Sequence, residues 1–304
     1  MKRAVFIGSK RVGLRCLEAM LERAPDAVVS AVTIDDSRDV RTVHRQFIDL
    51  CHTQSLPLHT INRRAELPPV LEAYRPDLCI VVGWYWMIPD AMIASCPLGF
   101  VGLHFSLLPL YRGSSPLVWA MINGEAATGV SMFSLVREVD AGDLWAQRRV
   151  DIYPGEYVGT VLTRLEDVAV DLVKEVFPRI LRGEAKATAQ EHSRATFFGP
   201  RSPEDGVIDW HWPSDRVLRF IRAQSRPYPG AFTHAETARV TIWRASEGAL
   251  LRGNPGDVLH ATNTVQIVCG DNRSVMIEEA ERDGVAGPAW AVLDSTLLRV
   301  GDGL

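Results

Sequence analysis

Two stretches of the 304-residue sequence hold residue types suited to moving protons and stabilising charge. Residues 99–116 read Gly-Phe-Val-Gly-Leu-His-Phe-Ser-Leu-Leu-Pro-Leu-Tyr-Arg-Gly-Ser-Ser-Pro. His104 stands at the end of the apolar run and ahead of a Pro- and Gly-rich loop. An imidazole titrates near neutrality, so one at the carboxyl end of a buried strand can take up a proton or stabilise a developing anion. Residues 137–144 read Arg-Glu-Val-Asp-Ala-Gly-Asp-Leu. Asp140 follows a second apolar run, in a turn made by Ala141 and Gly142. Alone it is a turn-forming Asp. Paired with His104 across a sheet, it holds and charges the imidazole.

A third stretch, Gly8-Ser9-Lys10-Arg11-Val12-Gly13, follows a strand and opens a helix. It lacks both the Lys-Ser/Thr ending of a phosphate-binding Walker loop and the G-x-G-x-x-G spacing, so ATP and dinucleotide chemistry are not expected. Loops at the carboxyl ends of parallel strands form the ligand face, where this turn can help shape an acceptor pocket.

The elements that position these residues follow from periodicity. Short apolar runs at 3–7, 28–34, 78–82 and 100–103 read as strands, and 14–21, 40–51 and 65–74 between them have helical spacing. That alternation predicts an α/β fold: a Rossmann-like, mostly parallel sheet with helices on both faces. Strands are also expected at 129–135 and 144–150, and a long helix over 158–181 closed by Arg182-Gly183. The pattern then changes. A strand at 207–210, a helix over 213–224 and five short strands between 232 and 277 suggest a small open β-barrel, OB-like, as a C-terminal domain. The expected division is 1–200 and 201–304.

Composition narrows the class. Net charge is −4, hydrophobic residues make up 47% and charged residues 23%, which fits a globular chain and gives no bulk attraction for a polyanion. No apolar run has the length to span a bilayer, and the start reads as a strand rather than a signal peptide. Five scattered cysteines form no CxxC pair and no zinc constellation. A reduced, cytoplasmic protein without a metal is expected, and a homodimer is left open.

The run from His104 through Ser106, Leu107, Leu108, Pro109, Tyr111, Arg112 and Gly113, followed by Asp140-Ala141-Gly142-Asp143, resembles the 10-formyltetrahydrofolate-dependent formyltransferases. So do residues 123–129, 198–210 and 227–232, which extends the likeness over nearly the whole chain. The family includes methionyl-tRNA formyltransferases and amino-sugar formyltransferases. The resemblance implies that an acceptor amine attacks the formyl carbon of the folate, with an Asn, a His and an Asp serving the reaction. The His matches His104 and the Asp matches Asp140. The Asn position, two residues before the His, is Gly102 here. An oxyanion donor is worth roughly 10²–10³ in rate, so this departure bears directly on the chemistry. An easier nucleophile, a substitute donor or water, or a weakened relative would each account for it.

The resemblance also places the pterin against Trp84, Tyr85, Trp86, Met87 and Ile88 and against the segment from Leu135 to Val139, ending at Asp140. The acceptor is expected near Gly8, Ser9, Lys10, Ser106, Tyr111, Arg112 and Gly113. Between residues 34 and 42 the chain carries three acids and no lysine. From 203 to 304, ten arginines and no lysine stand against fourteen acids. Nucleic acid is therefore not expected as a partner. The expected acceptor is a nucleotide-linked amino sugar or an amino-acid-derived amine such as N-hydroxyornithine. Asp35, Asp36 and Asp39 would suit a cationic amino acid; Lys10, Arg11 and Arg112 would suit phosphate or carboxylate. Methionyl-tRNA formylation, hydrolysis of 10-formyltetrahydrofolate, and non-catalytic folate or nucleotide binding are the alternatives.

Overall fold

A computed structural model describes residues 2–235, 238–293 and 299–301. The chain forms two compact units. The first takes its residues from the chain up to Pro116, from Thr128–Val150 and from Thr163–Phe198; the second from Leu117–Ala127, Asp151–Leu162 and the chain from Gly199 onward. Two segments before residue 200 thus pack with the second unit.

In the first unit, β1 (Ala4–Gly8), β2 (Val28–Ile34), β3 (Leu58–Ile61), β4 (Leu78–Val82) and β5 (Phe100–His104) are joined through α1 (Lys10–Arg23), α2 (His44–Thr53), α3 (Leu67–Tyr74) and α4 (Asp90–Ile93). Along the chain β6 (Arg112–Gly113), α5 (Pro116–Ile122), β7 (Ala127–Ser134), β8 (Leu144–Asp151), α6 (Val158–Arg182) and β9 (Phe197–Phe198) follow, with α5 beyond Pro116 and the first turn of α6 belonging to the second unit. The sheet runs β3-β2-β1-β4-β5-β7-β8. β1 to β5 pair in parallel, and β7 joins β5 antiparallel. The mostly parallel sheet read from the sequence is present.

Helices cover both faces because side chains alternate along each strand. Val5 and Ile7 share a core cluster with Leu67, Val70 and Leu71 of α3, while Phe6 points the other way and stacks on Phe47 of α2 at 6.0 Å. β3 was not expected from the sequence: its four residues are mostly half-exposed and too short for a period to show.

The order reverses between β1 and β4, so their carboxyl ends border the crevice where such sheets take ligands. Gly8 lets the two strand ends approach. A Cβ there would lie 2.4 Å from the Val82 carbonyl oxygen. Ser9 locks the contact, its N–H donating to Val82 O at 3.1 Å and its hydroxyl to Gly83 O at 2.6 Å. The residues after β4 are thereby fixed at the crevice.

The second unit contains α7 (Ser214–Gln224), β10 (Ala231–Ala235), β11 (Ala238–Leu250), β12 (Val258–Ala261), β13 (Thr264–Val268), β14 (Arg273–Arg282), β15 (Val285–Pro288) and α8 (Ala289–Val292). Its sheet is antiparallel, in the order β10-β11-β14-β13-β12, with β15 on β14. Residues 299–301 bridge its two edges: Gly301 pairs with His234 of β10 and Arg299 with Asp257 just before β12. That linkage is what a small barrel requires. Of the strand expected at 207–210, only a Val207–Phe232 bridge forms. α7 starts one residue later than expected, with Pro213 as its N-cap.

Candidate active site

His104 ends β5 and is buried, with 8% of its surface exposed. Its Nε2 lies 2.7 Å from the carbonyl oxygen of Tyr111. A carbonyl only accepts, so the proton sits on Nε2 and the Nδ1 lone pair of the neutral ring stays available. Nδ1 faces Asp140 Oδ2 at 3.6 Å. The same carboxylate oxygen accepts the Gly113 N–H at 2.7 Å. One side of the imidazole is therefore pinned, and the other faces an oriented carboxylate. Such a pair can accept a proton from a neighbouring nucleophile and stabilise the resulting imidazolium.

The loop from Phe105 to Gly113 is held in place by buried hydroxyls. Ser106, 1% exposed, donates to Leu110 O at 2.6 Å. Ser131 donates to Ser106 O at 2.7 Å and accepts the Leu108 N–H at 3.1 Å. Gln147, which the sequence did not single out, donates to Leu108 O at 2.9 Å and Ser131 Oγ at 2.8 Å. Ser106 is thus engaged in ordering backbone. The Tyr111 ring stacks on Phe198 at 4.6 Å, nearly parallel.

Gly102 lies two residues before His104 on β5, hence on the same face. The space over it is already occupied. A Cβ at Gly102 would lie 2.8 Å from Leu135 Cδ2 and 3.3 Å from Phe133 Cε1. Leu135 is held by its N–H, which donates to Phe100 O at 2.7 Å. Where the resemblance expects a polar amide, this site presents a leucine methyl over a glycine.

The aromatic run after β4 divides as adjacent residues must. Trp84 and Trp86 pack edge-to-face at 5.2 Å and, with Leu135 and Ile88, against the core under the crevice. Tyr85, Met87, Val136 and Val139 are exposed to between 37% and 56%. The Trp84 indole N–H is buried without a hydrogen-bond partner. Exposed apolar side chains on two ligand-face segments, with a spare donor among them, fit a flat heterocycle.

The cations expected to meet an anionic acceptor already have internal partners. Lys10 Nζ lies 2.7 Å from both Asp36 and Asp39, and its ring neighbour is Tyr85 at 5.1 Å. Burial opposes its charge, but these hydrogen bonds outweigh that and raise its pKa. Asp39 is held below the usual carboxylate range by Arg41 first, against burial, and also by Lys10. Arg11 pairs with the buried Glu166 at 2.5 Å. Arg112 contacts Gln190 and His192. Asp36 and Asp39 are therefore committed to Lys10. Replacing Lys10 by methionine is expected to cost about 1–3 kcal/mol of stability at neutral pH, because it removes the cation between two partly buried carboxylates and leaves Asp39 to Arg41 and Asp36 to the Thr42 hydroxyl. For a carboxylate of depressed pKa the stabilisation is full above its unfolded value and is lost as pH falls through the folded one. Thermal melts should thus show the wild-type advantage shrinking in acid.

Among the described residues no group of three His, Cys, Asp or Glu side chains could hold a metal ion, and no helix is long and apolar enough to cross a membrane.

Residues 1–177 match the formyl transferase family and residues 201–289 match the formyl transferase C-terminal domain. The chain belongs to the formyl transferase family.

Solved structures share its fold. HypX from Aquifex aeolicus, in complex with tetrahydrofolic acid, is 21% identical with a TM-score of 0.66 over 94% of this chain and 46% of that one. This chain therefore spans about half of HypX. An N-formyltransferase from Helicobacter canadensis, with folinic acid and dTDP-3-aminofucose, is 14% identical with a TM-score of 0.70 over 91% and 99%. The methionyl-tRNA formyltransferase of Clostridium thermocellum is 19% identical with a TM-score of 0.59 over 88% and 100%.

Proposed function

We propose that this chain is an N-formyltransferase that moves a formyl group from 10-formyltetrahydrofolate to the amine of a small acceptor, a nucleotide-linked amino sugar or an amino-acid-derived amine. The observation that carries this reading is the His104–Asp140 pair at the carboxyl end of β5, beside the apolar 83–89 segment fixed at the crevice. The co-substrate supplies an activated formyl carbon, from which the acceptor nitrogen displaces tetrahydrofolate.

His104 and Asp140 do the proton work. The ring accepts the amine proton at Nδ1, and the adjacent carboxylate stabilises the cation so formed. The Tyr111 carbonyl keeps the ring in the tautomer that leaves Nδ1 open. Trp84, Tyr85, Trp86, Met87, Ile88, Leu135 and Val139 bind and orient the pterin. Gly8, Ser9, Tyr111 and Gly113 shape the acceptor side through backbone and ring surface. With no amide at Gly102, the site favours an amine that is already neutral and strongly nucleophilic, such as a hydroxylamine.

The folate complexes of HypX and the Helicobacter canadensis enzyme support the co-substrate, and the acid excess after residue 203 supports a small acceptor over tRNA. The test is mass spectrometry of an amine panel incubated with protein and 10-formyltetrahydrofolate. One amine class should gain a single formyl group. Formylation of methionyl-tRNA alone would overturn the small-acceptor assignment.

A further inference from the structure

The Asp140 turn is held from behind by a residue fifty positions away. Gln190 lies between α6 and β9 and is 5% exposed. Its Nε2 donates to two carbonyl oxygens of the turn, Asp140 O at 2.9 Å and Gly142 O at 2.6 Å. Its Oε1 accepts from Arg112, from Nε at 3.2 Å and Nη2 at 2.6 Å. Arg112 is itself 4% exposed, and its Nη2 also meets His192 Nδ1 at 3.0 Å.

The direction of this chain is forced. A guanidinium has donors only, so it fixes the amide with oxygen toward Arg112 and NH₂ toward the turn. A flipped amide would set donor against donor at one end and acceptor against acceptors at the other.

The turn needs such a hold. Asp140 has φ +51°, a left-handed conformation that Asp tolerates but that local preference does not supply. Gly142 is pressed against β7, where a Cβ would come 1.8 Å from Ser134 O. In this arrangement Asp140 Oδ2 accepts the Gly113 N–H and faces His104.

We propose that Gln190, oriented by Arg112, is a positioning residue that sets the Asp140 carboxylate against His104. The inference rests on the proposed formyl transfer for its kinetic consequence, but the clamp itself is a property of the fold. A shift of the carboxylate by a fraction of an ångström changes proton transfer far more than ground-state binding.

Gln190→Glu is the sharpest test. It keeps an acceptor for Arg112 and replaces the NH₂ that faces the two carbonyls with a carboxylate oxygen. Its kcat should fall about 10- to 100-fold, with KM for the formyl donor changed less than about threefold. In an Asp140→Ala background the same change should cost nothing further, because Gln190 acts through Asp140. Amide hydrogen exchange at Gly113 should accelerate in Gln190→Glu, since that N–H loses its oriented acceptor. Gln190→Met serves if the Glu variant does not fold.

Wild-type kcat in a folded variant, a loss that multiplies in the Asp140→Ala background, or unchanged Gly113 exchange would overturn the assignment. Absence of turnover in the wild type would instead remove the formyl-transfer reading, and Gly113 exchange would still decide the clamp.

Discussion

Replacing His104 by alanine is expected to lower kcat for formyl transfer by about 10²–10⁴-fold, the range for loss of a positioned general base. Asp140→Ala is expected to fall in the same range. The reason lies in their geometry. His104 Nε2 is tied to the Tyr111 carbonyl, so proton acceptance falls to Nδ1, and Nδ1 faces the carboxylate that Gly113 orients. Removing either group leaves the other without its function, so the double variant should be scarcely slower than the worse single one. Folding should survive. His104 makes one side-chain hydrogen bond, and the loop around it is separately held by Ser106, Ser131 and Gln147. Steady-state kinetics with circular dichroism on the three variants checks this. Near wild-type turnover in both single variants would exclude the pair from the chemistry.

The second large effect concerns Gly102 and Leu135 together. An asparagine side chain at Gly102 would meet Leu135 Cδ2 at its first carbon. That methyl is the free end of a side chain, so it can move, but Gly102→Asn alone is expected to cost about 1–3 kcal/mol of stability through overpacking and to leave the rate unimproved. Gly102→Asn with Leu135→Ala frees the space for an amide to reach the formyl oxygen. That variant should raise kcat with a weakly nucleophilic amine by about 10-fold or more, part of what an oxyanion donor supplies, while KM for the folate rises because Leu135 also belongs to the proposed pterin site. A hydroxylamine acceptor should gain less. A single-site Gly102→Asn enzyme faster than wild type, or a double variant no faster with any amine, would contradict this account of the glycine.

What the sequence revealed depended on distance along the chain. The parallel strands other than β3 were legible as apolar runs, and His104 and Asp140 stood out because each follows such a run and enters a loop. Gly102 came to notice only as the family's Asn position, two residues before His104; the structure sets the two on one strand, β5. The Lys10 cluster was not legible. Its acids lie beyond β2, and nothing local tells Asp36 and Asp39 that a lysine after β1 will face them. Gln190 was invisible for the same reason, in a stretch with no periodicity, with partners at 112, 140 and 142. The interleaving of the units was hidden too, because segments 117–127 and 151–162 are short and carry no composition of their own.

The central claim is a transfer to an amine, and the most direct measurement is tetrahydrofolate release from 10-formyltetrahydrofolate by the purified chain, with and without acceptors. The panel is nucleotide-linked 4-amino sugars, N-hydroxyornithine and ornithine. Release should depend on one amine class and be lost in His104→Ala. Equal release without any amine would make the chain a hydrolase, and no release with folate still bound would make it a binding protein; either result contradicts the account.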